Sequence, residues 1–202
     1  MQAIQQIEDV QQKKLIETFQ RNQMDVLFFQ DEIELKNYLK PLLKKDMVTT
    51  VGGSVTLFET GVIDLLRQSE TTFIDRYEPD IDREEIENRF HQSFFADIYF
   101  TSTNALSEEG YLYNVDANGN RVAAMIYGPK EVFVIAGKNK ICANEDEAFQ
   151  RIRNLAAPKN AVRLEKRTPC TKQLVCKDCL SPDRICSSYV KLGYQGNAHR
   201  IK

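Results

Sequence analysis

Histidine is almost missing from this chain: His91 and His199 are the only two in 202 residues. A Ser-His-Asp hydrolase or a histidine-rich metal site therefore has little material to work with, and His91 reads as a half-exposed helix residue rather than a base. Neither charge sign dominates. With 27 Lys and Arg against 29 Asp and Glu the net charge is -2, which supplies no positive field for a phosphate backbone and argues against nucleic acid as the main partner. Long apolar runs are missing as well. The N-terminal stretch MQAIQQIEDVQQKKLIETF spaces Ile4, Ile7 and Val10 at helical intervals among polar residues, with neither a signal-peptide core nor a membrane span. Internal repeats, low-complexity tracts and long Gly/Ser-rich stretches are not found. These absences lead us to expect a cytoplasmic protein in which 42% hydrophobic and 28% charged residues build one substantial core. Cytosolic thiols stay reduced, so five cysteines, an odd number, do not read as a disulfide framework.

What is present is an alternation of strand-like and helix-like segments. MDVLFF (24–29) has the length of a strand, and Asp31 with Glu34 forms a capping box for DEIELKNYLKPLLKK, which Pro41 is expected to kink or end. MVTTV (47–51) is followed by GGSVT and by the amphipathic LFETGVIDLLR. TTFID (71–75), the acidic helix DREEIENRFHQSFF and the apolar ADIYFTS (96–102) continue the pattern. YLYNVD and RVAAMIYG flank Ala117-Asn118-Gly119-Asn120, whose Asn-Gly pair predicts a tight hairpin between two antiparallel strands. EVFVIAG (131–137) reads as a buried strand. The last helix is expected to start at Asn144, with Glu147 as box partner, and to carry Ala148, Ile152 and Leu155 up to Pro158. From Pro169 onward no periodicity survives. The predicted fold is α/β, a mixed, largely parallel sheet flanked by helices over residues 1–164, with an irregular cysteine-rich C-terminal tail over 165–202. The chain ends at HRIK, where a final strand is expected after a basic start of this kind.

In open α/β sheets ligands bind beyond the C-terminal ends of the strands, and four features are expected at that edge. Gly52 and Gly53 let a ligand approach the backbone, Ser54 and Thr56 offer hydroxyls, and the next helix favours an anion; a plain strand-to-helix turn capped by Ser54 is the competing reading. Thr103 and Asn104 follow a strong apolar strand, with Glu108 and Glu109 beyond them, a set that also makes ordinary turns. Asn120 and Arg121 lie at the predicted hairpin, where an arginine can clamp a carboxylate or phosphate or simply be solvated. Gly137, Lys138 and Lys140 complete the set at a strand end. Glu59 and Glu108 are the candidate acid/base carboxylates, although a solvated helix position also accounts for Glu59.

The order VGGSVTLFETGVIDLL, TSTNALSEEGYLYNVDANGNRVAAMIYGPKEVFVIAGKNK, AAPKNAVRL resembles the LUD domain family, the lactate-utilisation proteins of the LutC and YkgG type, most closely over 51–164. The resemblance implies a NagB/RpiA/CoA-transferase-like fold, in which the loop Gly52 to Thr56 holds a phosphate or carboxylate. It also implies a place in bacterial lactate or related organic-acid oxidation beside iron-sulfur partner proteins, and a homodimer. A stand-alone transferase, isomerase or ligase of the wider superfamily is the alternative, as is a non-catalytic electron-transfer subunit. Fold does not assign chemistry by itself.

The tail holds Cys170, Cys176, Cys179 and Cys186 in the spacing C-x5-C-x2-C-x6-C, a cluster by which the better-known lactate-operon proteins are not defined. Four thiolates complete a zinc site or bind an iron-sulfur cluster, although structural zinc sites usually pair two CxxC knuckles and this run has one. A redox pair formed by Cys176 and Cys179, or no special role, are the other readings.

Overall fold

The computed structural model describes residues 2–202; the side chains of residues 2–5 and 7, and with them Ile4 and Ile7 of the predicted first apolar face, lie outside the described residues. In chain order the elements are α1 (Gln2–Arg21), α2 (Glu32–Leu39), β1 (Val48–Val51), α3 (Val55–Glu59), α4 (Val62–Gln68), β2 (Thr72–Ile74), α5 (Arg83–Gln92), β3 (Ile98–Thr101), β4 (Ala105–Ser107), β5 (Leu112–Asp116) and α6 (Asn120–Tyr127). They continue with β6 (Glu131–Val134), β7 (Ile141–Cys142), α7 (Glu145–Arg151), α8 (Ala157–Arg163), α9 (Pro169–Gln173) and β8 (Ser188–Leu192). Two compact units interleave along the sequence. One comprises Gln23–Ser102, Ala123–Ala136 and Gln195–Lys202, the other the chain up to Asn22 with Thr103–Val122 and Gly137–Tyr194.

The first unit contains a four-stranded sheet in the order β2-β1-β3-β6, every neighbour parallel. Its strands are β-branched and aromatic, and β1 and β3 are buried almost throughout. Leu57, Ile63 and Leu66 from the following helices pack with Val51, Ile98 and Phe100 in one cluster. Asp31 accepts from the amides of Ile33 and Glu34 as predicted for its helix, while Glu34 reaches back to the amide of Gln30. Pro41 ends that helix in a 3₁₀ turn, Lys40–Leu42, since it lacks the amide that continued α-helix requires at that point. The amphipathic stretch after β1 is two helices rather than one, because Gly61 at φ 68° turns the chain between α3 and α4.

Asp97 clamps the start of this sheet. Its carboxylate accepts from the Val48 amide at 2.9 Å and from Lys130 at 2.7 Å, and these contacts hold it below the usual carboxylate range, the Lys130 bond contributing most. Arg200 is buried and donates to the carbonyls of Ala124, Met125 and Pro129, closing the end of α6 where unsatisfied carbonyls gather. Burial pushes its pKa down. HRIK does run alongside the sheet: Ile201 bridges Val132 in parallel, and the Val134 amide donates to Lys202 O. MDVLFF, in contrast, forms no strand. The Asp25 amide bonds Ile201 O, but no ladder develops along the rest of the run.

The second unit holds a mixed sheet, β7-β4-β5-β8, with β4–β5 and β5–β8 antiparallel and β4–β7 parallel. Here the hairpin expectation is corrected. The tight connection lies at Ser107–Tyr111, between β4 and β5, and uses Gly110 at φ 89°. A Cβ at Gly110 would come within 2.5 Å of the Thr18 carbonyl oxygen. At Ala117–Asn120 only Gly119 has positive φ, at 76°. A type I′ hairpin needs two such residues in succession, so the chain launches helix α6 instead, and RVAAMIYG is helical with Val122, Ala124 and Met125 buried.

Two further expectations change. Asn144 caps α7 by accepting from the Glu147 amide, as predicted, but the helix does not stop at Pro158. A π-helical turn, Ile152–Ala156, precedes α8, and a widened turn relieves the clash a proline ring otherwise makes with the carbonyl four residues back. Ala148 and Ile152 are buried as predicted; Leu155 is exposed. The tail is less irregular than its sequence suggests. It contains α9, and β8 pairs with β5 over five residues from Leu112↔Leu192 to Asp116↔Ser188.

Candidate functional site

The parallel sheet of the first unit has one topological switch point. After β1 the chain builds β2 on one side and β3 on the other, so the order reverses at β1/β3, and the crevice outside the carboxyl ends of those strands is where open α/β sheets bind ligands. Gly52 and Gly53 leave β1 at that point, with the Gly52 amide donating to Phe100 O at 2.8 Å.

Ser54 occupies the cap position of α3 but does not cap it. Its backbone amide donates to Tyr77 Oη at 3.1 Å, and its Oγ is buried with no hydrogen-bond partner among the described residues. The simple turn capped by Ser54 is therefore not what forms. The neighbouring Arg76, at the carboxyl end of β2, went unnoticed in the sequence. A Cβ added at Gly53 would lie 3.4 Å from Arg76 Nη1 and 3.8 Å from Tyr77 Oη, so the guanidinium and the phenol both sit against the glycine backbone. The Arg76 guanidinium stacks 4.4 Å from the Phe90 ring centroid and 5.4 Å from that of Tyr77. Its Nε is buried without a partner, and among the described residues no carboxylate pairs with it. The nearest carboxylate in sequence, Asp75, is engaged by Arg67 at 2.8 Å and by the Tyr77 amide at 2.8 Å. Arg89 takes Glu78 and Glu85.

A lone arginine following a strand is an ordinary sequence feature, and only the parallel pairing of β1 with β2 sets it beside the glycine loop. Thr56 is half-buried in α3, and Glu59, on the same helix, is exposed.

The other predicted residues belong to the second unit, where Asn104 and Arg121 do come together. Arg121 is buried and donates to Asp116 at 2.8 Å and 3.0 Å, to Asn114 Oδ1 at 2.7 Å, to Asn104 Oδ1 at 3.0 Å and to the Val115 carbonyl. Asn104 Oδ1 also accepts from the Val115 amide at 2.9 Å. Asn120 starts the helix on which Arg121 sits. Thr103 Oγ1 lies 2.8 Å from Ala105 O and 3.0 Å from Tyr113 O, beneath β4 and β5. Glu108 is paired with Lys14 at 2.7 Å, and Lys138 with Glu8 at 3.5 Å. Lys138 and Lys140 lie in a 3₁₀ turn, Lys138–Lys140, that follows Gly137, and Arg151 donates to the Asn139 carbonyl within it. Burial holds the Arg151 pKa down.

The four tail cysteines and buried Cys142 are all free thiols. Cys170 lies in α9 beside Thr168 Oγ1, 3.2 Å away, and Cys186 packs against the core of the second unit. Among the described residues no three His, Cys, Asp or Glu side chains are grouped so as to hold a metal ion. Among the same residues no helix is long and apolar enough to cross a membrane.

A parallel sheet with a glycine loop at its switch point and helices packed against it define an α/β protein of the open-sheet class. The LUD domain model matches residues 12–201, nearly the whole chain, and the protein belongs to the LUD domain family, which is associated with lactate-utilisation proteins. No curated protein matches the chain.

Proposed function

We propose that this protein binds a small anionic metabolite, a carboxylate or a phosphate ester, at Gly52, Gly53, Ser54 and Arg76, and serves lactate or related organic-acid oxidation. The observation that carries the reading is the pair of buried polar atoms without partners among the described residues, Ser54 Oγ in the glycine loop and Nε of Arg76, whose guanidinium lies against Gly53. Leaving such groups unsatisfied is costly, roughly 1–3 kcal/mol each, and an anion that accepts from both removes the cost. A guanidinium presents parallel donors matched to a carboxylate or phosphate, and the Arg76 guanidinium lies directly against the Gly53 backbone. Family membership supports the metabolic setting.

Thermal unfolding with lactate, pyruvate, inorganic phosphate and coenzyme A tests the reading. A ligand at one hundred times its Kd stabilises the folded protein by about 2.7 kcal/mol, and Arg76→Ala is expected to abolish that shift. A folded protein that none of these ligands stabilises, or a shift that survives Arg76→Ala, counts against the site.

A further inference from the structure

Of the four thiols in the tail, two differ in setting from the rest. Cys170 is built into α9, and Cys186 is packed against the core cluster just before β8. Cys176 and Cys179 lie instead in the irregular stretch between those elements, both half-exposed and separated by Lys177 and Asp178. The turn joining them is anchored at one end. The Cys176 amide donates to Arg153 O at 3.1 Å, and Asp178 Oδ2 lies 3.9 Å from the Arg153 guanidinium. Asp178 takes positive φ, 50°, which folds the chain back so that its amide donates to Cys176 Sγ at 3.4 Å. Beyond Cys179 the chain carries Leu180, 91% exposed, before it is caught again where Ser181 Oγ donates to Arg167 O and the Arg167 amide donates to Asp183. The sulfur of Cys179 therefore sits on a short span that no ladder of hydrogen bonds constrains.

From this arrangement we infer that Cys176 and Cys179 form a reversible dithiol/disulfide couple, exchanging with low-molecular-weight disulfides such as oxidised glutathione. In the oxidising direction the Cys176 thiolate attacks one sulfur of the glutathione disulfide. The sulfur–sulfur bond of glutathione breaks, one glutathione thiolate leaves, and a mixed disulfide remains on Cys176. The Cys179 thiolate then attacks the Cys176 sulfur, the mixed disulfide breaks, and a second glutathione thiolate leaves. The protein loses two protons and two electrons, and one glutathione disulfide becomes two thiols. A two-residue spacer permits the short Cα separation a disulfide needs, and the turn at Asp178 folds the chain in that direction. The inference is independent of the anion site, with which it shares no residue.

The test is to equilibrate the full-length protein in glutathione buffers from fully reducing to fully oxidising. Samples are quenched in acid, the remaining thiols alkylated, and intact mass and peptide maps read. Oxidation is expected to remove two of the five alkylation sites and two hydrogens of mass, with Cys176 and Cys179 linked in one peptide, and reduction is expected to restore both. Cys176→Ala and Cys179→Ala are each expected to abolish the internal link; Cys179→Ala traps glutathione on Cys176. The wild-type peptide map decides by itself if either variant fails to fold. Linkage to Cys170 or Cys186 instead, or five alkylated thiols in the most oxidising buffer, overturns the proposal. So does a stoichiometric zinc or iron in the anaerobically purified protein that shields all four tail thiols until it is chelated.

Discussion

Arg76 and Arg121 each follow a strand that ends in an acidic residue or is followed by one, yet their surroundings differ. Arg121 is almost fully buried, and its guanidinium is taken up by Asp116, Asn114, Asn104 and a carbonyl, so it knits β5 to the start of α6. Arg76 has an acidic neighbour too, but Asp75 is turned toward Arg67, and the Arg76 guanidinium rests on Phe90 beside a glycine loop. An arginine with every donor engaged inside its own unit holds a fold together. One held by aromatic rings, with a buried nitrogen unmatched, is the residue on which the proposed anion site rests.

Substitution should drive the two arginines apart. Arg121→Ala leaves Asp116 buried without its cation and two asparagines short of partners; a loss of about 3–5 kcal/mol in urea-unfolding stability is expected. Gly110→Ala tests the true hairpin of the same unit. It forces a Cβ onto the Thr18 carbonyl at positive φ, and a loss of about 1–3 kcal/mol is expected from the same measurement. Arg76→Ala removes stacking worth about 0.5–1 kcal/mol, so the protein should stay folded by circular dichroism while losing ligand-induced stabilisation. A variant at Arg76 that unfolds the protein as thoroughly as Arg121→Ala would erase the distinction.

The smallest effect is expected at Asp97. Its pKa is depressed in the folded protein, so it contributes stability that is present above the unfolded carboxylate value, about 3.9, and is lost as pH falls through the lower folded value. Asp97→Asn should flatten the acid limb of stability between neutral pH and that range, by about 1 kcal/mol or less because Lys130 is well exposed. An acid limb identical to that of the native protein would show that the clamp on Val48 carries no charge-dependent energy.

Short-range chemistry was legible along most of the chain. Asp31 and Asn144 accept from the amides their capping boxes specify, and β1, β2, β3 and β6 fall within the runs MVTTV, TTFID, ADIYFTS and EVFVIAG. Failures came where a local signal had two outcomes. Asn118-Gly119 supports a hairpin or a helix start, and the Asp116 carboxylate, accepting from the Val122 amide at 3.0 Å, selects the helix. Pro158 ends a helix or is absorbed by a π turn, and packing of Ala157 and Ala161 in the core favours absorption. SSYVKL carries too little alternation to announce a strand until β5 offers it an edge.

The candidate site divides the same way. That Gly52, Gly53 and Ser54 follow a buried β-branched strand and precede a helix is written in consecutive residues, because glycine permissiveness and strand propensity are local properties. Family membership is equally readable, since it rests on the order of such motifs over nearly the whole chain. Which arginine lies beside the loop was decided only in three dimensions. Arg121, read from sequence as an anion clamp or a solvated hairpin residue, is buried and engaged within its own unit, while Arg76, more than twenty residues from Ser54, reaches the loop only because β2 pairs in parallel with β1. Local sequence sets conformational preference, but a charge is directed by whichever partners the packed chain brings within hydrogen-bonding distance.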